Sequence, residues 1–485
     1  KGDRYIGIIT RGVVEKAIFH GLKKSMVGDF ATTDAYTAEE DTPVMEIEKN
    51  MIELNQRFVP ILKEDRVVGV ITRTDILRNL YEELIRKFKI SQPKEEPAEE
   101  MRKNVSNLMK TLLPEEVYEI LYIAGELAQE MGYGAYLVGG SVRDLIMRIP
   151  GTDIDIVVEG DGIKFAEELA RRIDGMVTAH PRFTTAKILK GIRKSRKFYI
   201  DIATARTEYY ESPAALPKVE TSSIKKDLYR RDFTINALAV KLNKKDFGLL
   251  IDFFGGQRDI KDRKIKVLHN LSFVEDPTRA IRAVRFAEKL GFKISKHTEN
   301  LIKLAVEMSI FEKLKGSRLY EELLLLFSET APHSSFKRLK EYGLLKVIHP
   351  VLEEKEVYTA LFRAYETLHG IELLFLKEDY RKEFIYLMVI LWNLKPSERE
   401  EVLEKISTPE HIKKRLLENI ETAQKMLKLL TSEDSFEVYS LLKPLNIETI
   451  ILMMIYAKEW QKRAISIYLT KMIDIKPLLT GDDLK

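Results

Sequence analysis

Residues 135–155 read Ala-Tyr-Leu-Val-Gly-Gly-Ser-Val-Arg-Asp-Leu-Ile-Met-Arg-Ile-Pro-Gly-Thr-Asp-Ile-Asp, and this stretch decides the fold. The apolar run before the diglycine predicts a buried strand, and the diglycine lets the backbone approach a ligand without interference from side chains. The amides of the turn and the N-terminus of the next helix are positively polarised, which suits a triphosphate. Asp153 and Asp155 lie two residues apart on a predicted strand, 153–158, so both carboxylates leave one face and suit Mg²⁺. Each piece alone is common, but joined at this spacing they favour nucleotidyl transfer.

Two further segments are rich in arginine. Segment 227–240, Asp-Leu-Tyr-Arg-Arg-Asp-Phe-Thr-Ile-Asn-Ala-Leu-Ala-Val, places two adjacent arginines and an aspartate before an apolar run. In segment 274–286, Val-Glu-Asp-Pro-Thr-Arg-Ala-Ile-Arg-Ala-Val-Arg-Phe, arginines recur every three residues, which predicts one helix face and is commonly a solvated stripe. Asp276 precedes Arg279 by three residues. The two could form a surface ion pair, or they could present an acceptor and a fork of donors to a base edge.

Four motifs together resemble those of the class II tRNA nucleotidyltransferases and bacterial poly(A) polymerases, in the order and at the spacing of that family. They are Gly139-Gly140-Ser141-Val142-Arg143-Asp144, Asp153-Ile154-Asp155, Arg230-Arg231-Asp232-Phe233-Thr234-Ile235-Asn236-Ala237 and Glu275-Asp276-Pro277-Thr278-Arg279. The resemblance covers about residues 105–350. It implies an α+β fold, in which a polymerase-β-like nucleotidyltransferase head with a small mixed sheet is followed by an all-helical neck, body and tail.

The resemblance implies a reaction in which the 3′-hydroxyl of an RNA attacks the α-phosphorus of a nucleoside triphosphate and pyrophosphate leaves. Asp153 and Asp155 would hold two Mg²⁺ ions. Asp201 aligns with the third strand carboxylate of the family, although an edge-strand aspartate is an equal interpretation. Asp144 is expected to pair with a nearby arginine. The residues expected to bind the nucleotide are Gly140, Ser141, Arg143, Arg230, Arg231, Asp276, Arg279, Arg282 and Arg285.

The resemblance also implies a protein template for the base. Cytosine and adenine present a ring-nitrogen acceptor beside an amine donor, whereas uracil and guanine present a protonated ring nitrogen beside a carbonyl. Arg279 donating and Asp276 accepting would match the first two bases, and each unpaired buried group in a mismatch costs about 1–3 kcal/mol. The predicted reaction is therefore addition of CCA, a terminal A or CC to the 3′ end of tRNA from CTP or ATP. Poly(A) polymerase is the alternative, because it shares every head motif.

The amino-terminal segment contains an internal repeat. Residues 3–11, Asp-Arg-Tyr-Ile-Gly-Ile-Ile-Thr-Arg, recur 62 positions later as Asp-Arg-Val-Val-Gly-Val-Ile-Thr-Arg. The repeat resembles an α/β tandem cystathionine-β-synthase-type (CBS) module whose first copy lacks its front half. Together with Lys1 at the start, it predicts a piece of a longer protein, with a DHH-type phosphoesterase-like domain expected upstream. A non-catalytic CBS protein that senses nucleotides is the remote alternative.

The predicted domains are a partial CBS-type module at 1–89, a polar linker at 90–104, the head at 105–265, the neck at 266–350, and the body and tail at 351–485. Within the head we expect a helix over 115–131, strands at 187–189, 198–203 and 249–253, and an irregular segment over 206–227. Basic clusters in the tail could follow an RNA backbone or form solvated helix faces. They are Lys413-Lys414-Arg415, Lys425, Lys428 and Lys462-Arg463.

Composition limits the class of protein. The 485 residues include no cysteine, which excludes disulfides, thiolate catalysis and zinc-thiolate sites and is typical of a cytoplasmic protein. The 79 basic and 75 acidic residues give a net charge of +4, so any RNA surface must come from local clusters of basic residues. No run of eighteen apolar residues occurs, so no membrane span is expected. The expected partners are tRNA and nucleotide, without membrane or DNA.

Overall fold

The computed structural model describes residues 4–9, 14, 26–33, 35–54, 56–76, 103–151, 154–192, 196–209, 218–270, 272–314, 316–374 and 379–475. The chain divides into two compact units, Lys1–Pro93 and Lys94–Lys485. None of the helices within these ranges combines the length and the apolar character that crossing a membrane requires.

The amino-terminal unit is a small α/β structure. Its sheet has the order β1 (Ala38–Glu39), β2 (Phe58–Lys63) and β3 (Arg66–Thr72), and helix α1 (Val44–Glu53) follows β1. The β1–β2 pair is parallel and the β2–β3 pair is antiparallel. Apolar side chains of α1, including Ile47, pack on Val59 of β2 to form the core. The two copies of the internal repeat meet at an antiparallel bridge between Arg4 and Arg66.

The second unit begins with an eight-stranded mixed sheet. Its strands are β4 (Lys103–Asn104), β5 (Gly134–Val138), β6 (Ile154–Glu159), β7 (Met176–His180), β8 (Thr185–Ile192), β9 (Arg196–Thr204), β12 (Leu238–Lys241) and β13 (Leu249–Asp252). Their order in the sheet is β4-β13-β12-β5-β6-β9-β8-β7. The β6–β9 pair is parallel and the other neighbouring pairs are antiparallel. The predicted mixed sheet is confirmed, with eight strands.

Helices cover both faces of this sheet. They are α2 (Ser106–Leu112), α3 (Glu115–Glu130), α4 (Gly140–Ile146), α5 (Gly162–Ile173), α6 (Ile224–Tyr229) and α7 (Gly256–Lys261). Helices α3 and α5 pack against one face. On the other face, Tyr136, Val138 and Val157 form a core with Leu228 of α6. Because side chains alternate along a strand, Asp155 projects from the same face as Val157.

The remainder of the second unit is helical. Its helices are α8 (Ser272–Glu275), α9 (Thr278–Leu290), α10 (Lys296–Glu307), α11 (Gly316–Ser328), α12 (Pro332–Glu341), α13 (Leu344–Ile348), α14 (Lys355–Glu372), α15 (Lys382–Leu391), α16 (Pro396–Lys405), α17 (Glu410–Leu429), α18 (Ser435–Leu442), α19 (Ile447–Tyr456) and α20 (Glu459–Ile467). A π-helical turn, Tyr468–Met472, continues α20. The predicted all-helical neck has one exception, since β15 (Lys293–Ile294) pairs in parallel with β14 (Lys264–Ile265).

Some of the other predictions of local structure are confirmed and some are wrong. Helix α3 and strands β8, β9 and β13 confirm the elements expected from apolar periodicity. The irregular segment expected over 206–227 is wrong, because β10 (Arg206–Tyr209) and β11 (Lys218–Thr221) form an antiparallel hairpin and α6 follows it. Residues 103–104, assigned to the polar linker, instead add an edge strand to β13. The side chain of Asn104 stabilises this edge by donating to the Phe247 carbonyl oxygen at 2.9 Å.

Candidate active site

Two of the predicted carboxylates lie side by side in the head sheet. Asp155 of β6 and Asp201 of β9 are register partners on neighbouring parallel strands, so their side chains leave the same face. Asp153 lies outside the described residues. Within the described part of the chain, no group of three His, Cys, Asp or Glu side chains is placed to hold a metal ion. Two adjacent carboxylates provide hard oxygen donors of the kind that Mg²⁺ binds, so this donor set fits the predicted cation.

The diglycine turn lies beside an arginine, as the motifs predict. Gly139 has a φ of 71°, a conformation that L side chains rarely adopt. A β carbon at this position would lie 2.6 Å from Nη1 of Arg231, so a larger residue would displace the end of this arginine from the turn. Gly140 then begins α4. The structure therefore brings Arg231 to the turn at which a triphosphate is expected.

A buried aspartate holds both adjacent arginines. Asp227 is fully buried, and its Oδ1 accepts hydrogen bonds from Nε of Arg230 at 3.0 Å and from Nη2 of Arg230 at 2.7 Å. Its Oδ2 accepts from Nη2 of Arg231 at 3.2 Å. Sequence reasoning quoted Asp227 without giving it a role, although its spacing of three and four residues from the arginines was the available signal.

Arg143 is enclosed by the protein. Its Nε donates to Oδ1 of Asp144 at 2.8 Å and its Nη1 donates to Oδ1 of Asn236 at 2.8 Å. Its guanidinium carbon also lies 5.3 Å from the ring centre of Phe286 on α9. The expected pairing of Asp144 with an arginine is confirmed. Because these contacts join the head to α9, Arg143 has a structural role here, and its contact with a triphosphate stays a prediction.

Ser141 lines a small cavity beside α4. The cavity has a volume of about 30 Å³, and the side chains of Val117, Leu121 and Leu137 contribute to its wall. The hydroxyl oxygen of Ser141 is buried and has no hydrogen-bond partner among the described residues. Apart from Asp144, the side chains that line this cavity with Ser141 are apolar, so a direct contact between the hydroxyl and phosphate also stays a prediction.

The pair predicted to read the base is buried in the neck. Asp276 is 8% exposed and Arg279 is 4% exposed, so the two do not form a surface ion pair. Nε of Arg279 lies 4.0 Å from Oδ2 of Asp276. Nη1 of Arg279 donates to the Ser272 hydroxyl at 3.0 Å, and its Nη2 donates to the Arg230 carbonyl oxygen at 2.6 Å. The second bond connects this pair to the arginines at the diglycine turn.

Arg318 of α11 is a contact that sequence reasoning missed. Its Nη2 donates to Oδ2 of Asp276, while Oδ1 of Asp276 accepts from the amide of Thr278 at 3.1 Å and from the Thr278 hydroxyl at 2.6 Å. Arg318 and Asp276 are 42 residues apart, so no local pattern indicates the pair. Together the three bonds orient the Asp276 carboxylate.

The solvated arginine stripe proposed as an alternative for α9 is wrong. Arg282 donates from Nη2 to Oδ2 of Asp232 at 2.6 Å and from Nη1 to Oε1 of Glu322 at 2.9 Å. Arg285 is buried and donates from Nη1 to Oε1 of Glu329 at 3.2 Å. Arg282 thus joins the neck to Asp232 of the head, whereas Arg285 binds carboxylates within the neck. Their predicted contacts with nucleotide stay a prediction.

Asp232 and Arg282 each stabilise the charged form of the other. Burial alone would raise the pKa of Asp232, but the charge of Arg282 and the hydrogen bonds from Asn236 and Arg282 outweigh burial, and this pKa is lowered. Burial alone would lower the pKa of Arg282, but the charges of Asp232 and Glu322 outweigh burial and raise it. The pair is therefore ionised at neutral pH.

Replacing Asp232 with asparagine should destabilise the protein by about 1–3 kcal/mol at neutral pH, because Arg282 keeps Glu322 as a partner but loses a buried, charged acceptor. The folded-state pKa of Asp232 lies below its unfolded value, so its stabilising effect is present above about pH 5 and declines as the pH falls below about 4. Urea unfolding of both proteins between pH 7 and pH 3 measures the difference. Equal unfolding free energies at pH 7 would contradict the assigned role.

An aromatic group borders the base-reading pair. The rings of His269 and Tyr229 lie 5.2 Å apart, and Phe254 lies 5.8 Å from Tyr229. Burial and the nearby charge of Arg279 lower the pKa of His269 to about 3. His269 is therefore a neutral imidazole, and its Nε2 lies 3.4 Å from Oε2 of Glu275. None of these three rings was predicted as part of the site.

The three adjacent basic residues at 413–415 of the tail are each paired with a glutamate. Lys413 lies 3.5 Å from Glu404, and Lys414 lies 3.8 Å from Glu418. Arg415 donates to Oε2 of Glu448 at 2.7 Å. These ion pairs reduce the positive charge that the helices present, and RNA contact by this segment stays a prediction.

Family models match three segments of the chain. A model described as the poly A polymerase head domain matches residues 135–266, and one described as a probable RNA and SrmB-binding site of polymerase A matches residues 291–356. A CBS domain model matches residues 27–82. These matches confirm the head and the CBS-type module expected from the sequence.

Curated relatives and solved structures extend the match to most of the chain. An A-adding tRNA nucleotidyltransferase of Geobacter sulfurreducens is 40% identical over 100% of this chain and 56% of its own length. A second enzyme of that name, from Halalkalibacterium halodurans, is 31% identical over 79% of this chain and 86% of its own length. A solved structure of a Thermotoga maritima CCA-adding enzyme complexed with tRNA superposes on this chain with a TM-score of 0.61. The two sequences are 35% identical, and the match covers 79% of this chain and 89% of that one. The chain spans about half the length of the Geobacter relative.

Proposed function

Since this chain belongs to the class II tRNA nucleotidyltransferase family, we propose that it transfers a nucleotide from ATP or CTP to the 3′ end of tRNA and releases pyrophosphate. One connected set of contacts carries the proposal. Arg231 lies across the diglycine turn, and both Arg231 and Arg230 donate to Asp227. The carbonyl oxygen of Arg230 in turn accepts a hydrogen bond from Arg279. A phosphate-binding turn and a base-reading pair are thereby held in one rigid arrangement.

The carboxylates of the head would hold Mg²⁺. Asp153 and Asp155, with Asp201 as the register partner of Asp155, provide the oxygen ligands. When bound, such a cation would neutralise phosphate charge and lower the pKa of an attacking hydroxyl. Arg231, which lies at the turn and is held by Asp227, would donate to the triphosphate there. The reaction then depends on placement and charge.

Asp276 and Arg279 have capacity left for a base. A carboxylate accepts about four hydrogen bonds, and three donors of the described residues occupy Asp276. A guanidinium group has five N–H donors. The bonds to Ser272 and Arg230 use two of those on Arg279, and its Nη1 and Nε also lie 3.9 Å and 4.0 Å from the carboxylates of Glu275 and Asp276. By this count one acceptor and one donor are left for the pairing edge of cytosine or adenine. Uracil and guanine would place a protonated ring nitrogen against the donor of Arg279 and a carbonyl oxygen against the acceptor of Asp276.

The names of the two curated relatives favour one of the nucleotides. Both curated relatives named above are A-adding enzymes, which favours addition of a terminal adenosine by this chain over addition of CC or CCA. The test is incorporation of labelled ATP and CTP into tRNAs that end before CCA, after C and after CC. We expect one adenosine to be added to the tRNA ending in CC. Long adenosine tails would instead indicate a poly(A) polymerase.

The amino-terminal unit should be dispensable for catalysis on a minimal tRNA acceptor stem. It forms its own core and its own compact unit, whereas the head sheet begins at β4, beyond residue 92. A variant lacking residues 1–92 should retain the initial rate of the full chain within about twofold. The comparison uses initial rates at saturating nucleotide and circular dichroism of both proteins. A folded but inactive variant would show that this unit completes the active site or the RNA-binding surface.

A further inference from the structure

Three side chains form a row across three neighbouring strands of the head sheet. Asp155 of β6 is the register partner of Asp201 on β9, and Asp201 is the register partner of Lys187 on β8. Register partners project from the same face of a sheet. The row therefore consists of two carboxylates followed by an ammonium group. Nζ of Lys187 lies 3.2 Å from Oδ1 of Asp201.

A second contact holds the ammonium group in the row. Nζ of Lys187 lies 5.0 Å from the ring centre of Tyr199, which precedes Asp201 by two residues on β9 and shares its face. The side chains of Lys187 and Asp201 are 45% and 43% exposed, so solvent screens their charges only in part. A fixed positive charge thus adjoins the carboxylate pair at which the cation is expected.

We propose that Lys187 is a positioning residue that holds the Asp201 carboxylate and weakens cation binding by the protein alone. The inference rests on the proposed function, in which Asp155 and Asp201 bind the divalent cation. Nζ of Lys187 competes with that cation for an oxygen of Asp201, and its charge repels the cation. The phosphates of a bound nucleotide offset this repulsion, so that the cation binds firmly only together with its nucleotide.

Mn²⁺ binding to the full chain tests the proposal, with free Mn²⁺ measured by electron paramagnetic resonance at constant ionic strength. Lys187→Met should lower the Kd for Mn²⁺ by about three- to tenfold. Lys187→Arg, which retains the charge, should stay near wild type. Lys190→Met is the matched control, because Lys190 lies on the opposite face of β8, where Nζ donates to the Asp174 carbonyl oxygen at 3.2 Å. This control should leave the Kd unchanged.

Asparagine variants of the two carboxylates separate the possible outcomes. Asp201→Asn should weaken Mn²⁺ binding and should abolish the gain produced by Lys187→Met. A gain in affinity cannot arise from loss of structure, so it reports specifically on the charge of Lys187. An unchanged Kd in Lys187→Met would overturn the proposal, as would an unchanged Kd in Asp201→Asn while Asp155→Asn abolishes binding. Failure of both the wild-type protein and Lys187→Met to bind Mn²⁺ would overturn the proposed cation site, whereas binding of equal affinity by both would overturn only this inference.

Discussion

Replacing Asp155 with asparagine should lower the rate of nucleotide addition about a thousandfold or more, because losing a ligand of a two-metal site costs several kcal/mol of transition-state stabilisation. The fold should persist, since Asp155 lies on the face of β6 beside a core of aliphatic and aromatic side chains that do not depend on its charge. Binding of tRNA should also persist, because the proposed role of this carboxylate is to bind the cation and not the RNA. The same loss is expected for Asp153, by the motif that the two residues share.

Single-turnover rates with saturating tRNA and Mg²⁺ measure this effect, and thermal unfolding checks the fold. Asp174→Asn is the matched control, because it removes the same charge from the C-terminal end of α5 in the same domain. Asp174 has a φ of 51°, a conformation that asparagine adopts readily. Its rate should equal that of the wild type. Retention of more than about a tenth of the wild-type rate by Asp155→Asn would contradict its assignment as a metal ligand.

Replacing Arg279 with alanine should reduce both the rate and the preference for CTP or ATP over UTP. Removal of the guanidinium group would eliminate the proposed hydrogen bond to the ring nitrogen of cytosine or adenine and the proposed repulsion of the protonated ring nitrogen of uracil. Two mispaired groups at about 1–3 kcal/mol each correspond to a discrimination of roughly a hundredfold. Asp276→Ala should produce the same loss from the accepting side. Arg279→Lys should restore little, because a point charge does not reproduce the planar fork of donors.

The measured quantity is the ratio of kcat/KM for ATP, CTP and UTP on tRNA with a matched 3′ end. Arg399→Ala provides the control for loss of a buried arginine, since Arg399 is 6% exposed and donates to the carbonyl oxygens of Leu391 and Trp392 in the tail. It should lower the thermal stability and leave the nucleotide ratios unchanged. If both alanine variants in the neck slow all three nucleotides equally, then Asp276 and Arg279 form an ion pair that only orients α9.

The sequence alone determined which motifs the chain contains and in what order they occur. Glycine at 139 is favoured because the backbone has a positive φ in the turn there. The position of Asp155 on a strand and the closeness of Asp276 and Arg279 follow from the short-range periods of strands and helices. The motifs that contain these residues predicted the family, because residues so close in sequence are placed relative to one another by the local geometry of strands and helices.

The tertiary structure decided which partner each charged group has. Arg282 binds Asp232, and Asp276 binds Arg318, across 50 and 42 residues of sequence. Lys187 joins the row of carboxylates only because the register of β8 on β9 places it opposite Asp201. Whether an arginine of α9 faces solvent or a buried carboxylate depends on the helix that packs against it. Hydrophobic periodicity specifies the face of an element that is buried, whereas strand register and helix packing specify which side chain of a distant element meets it.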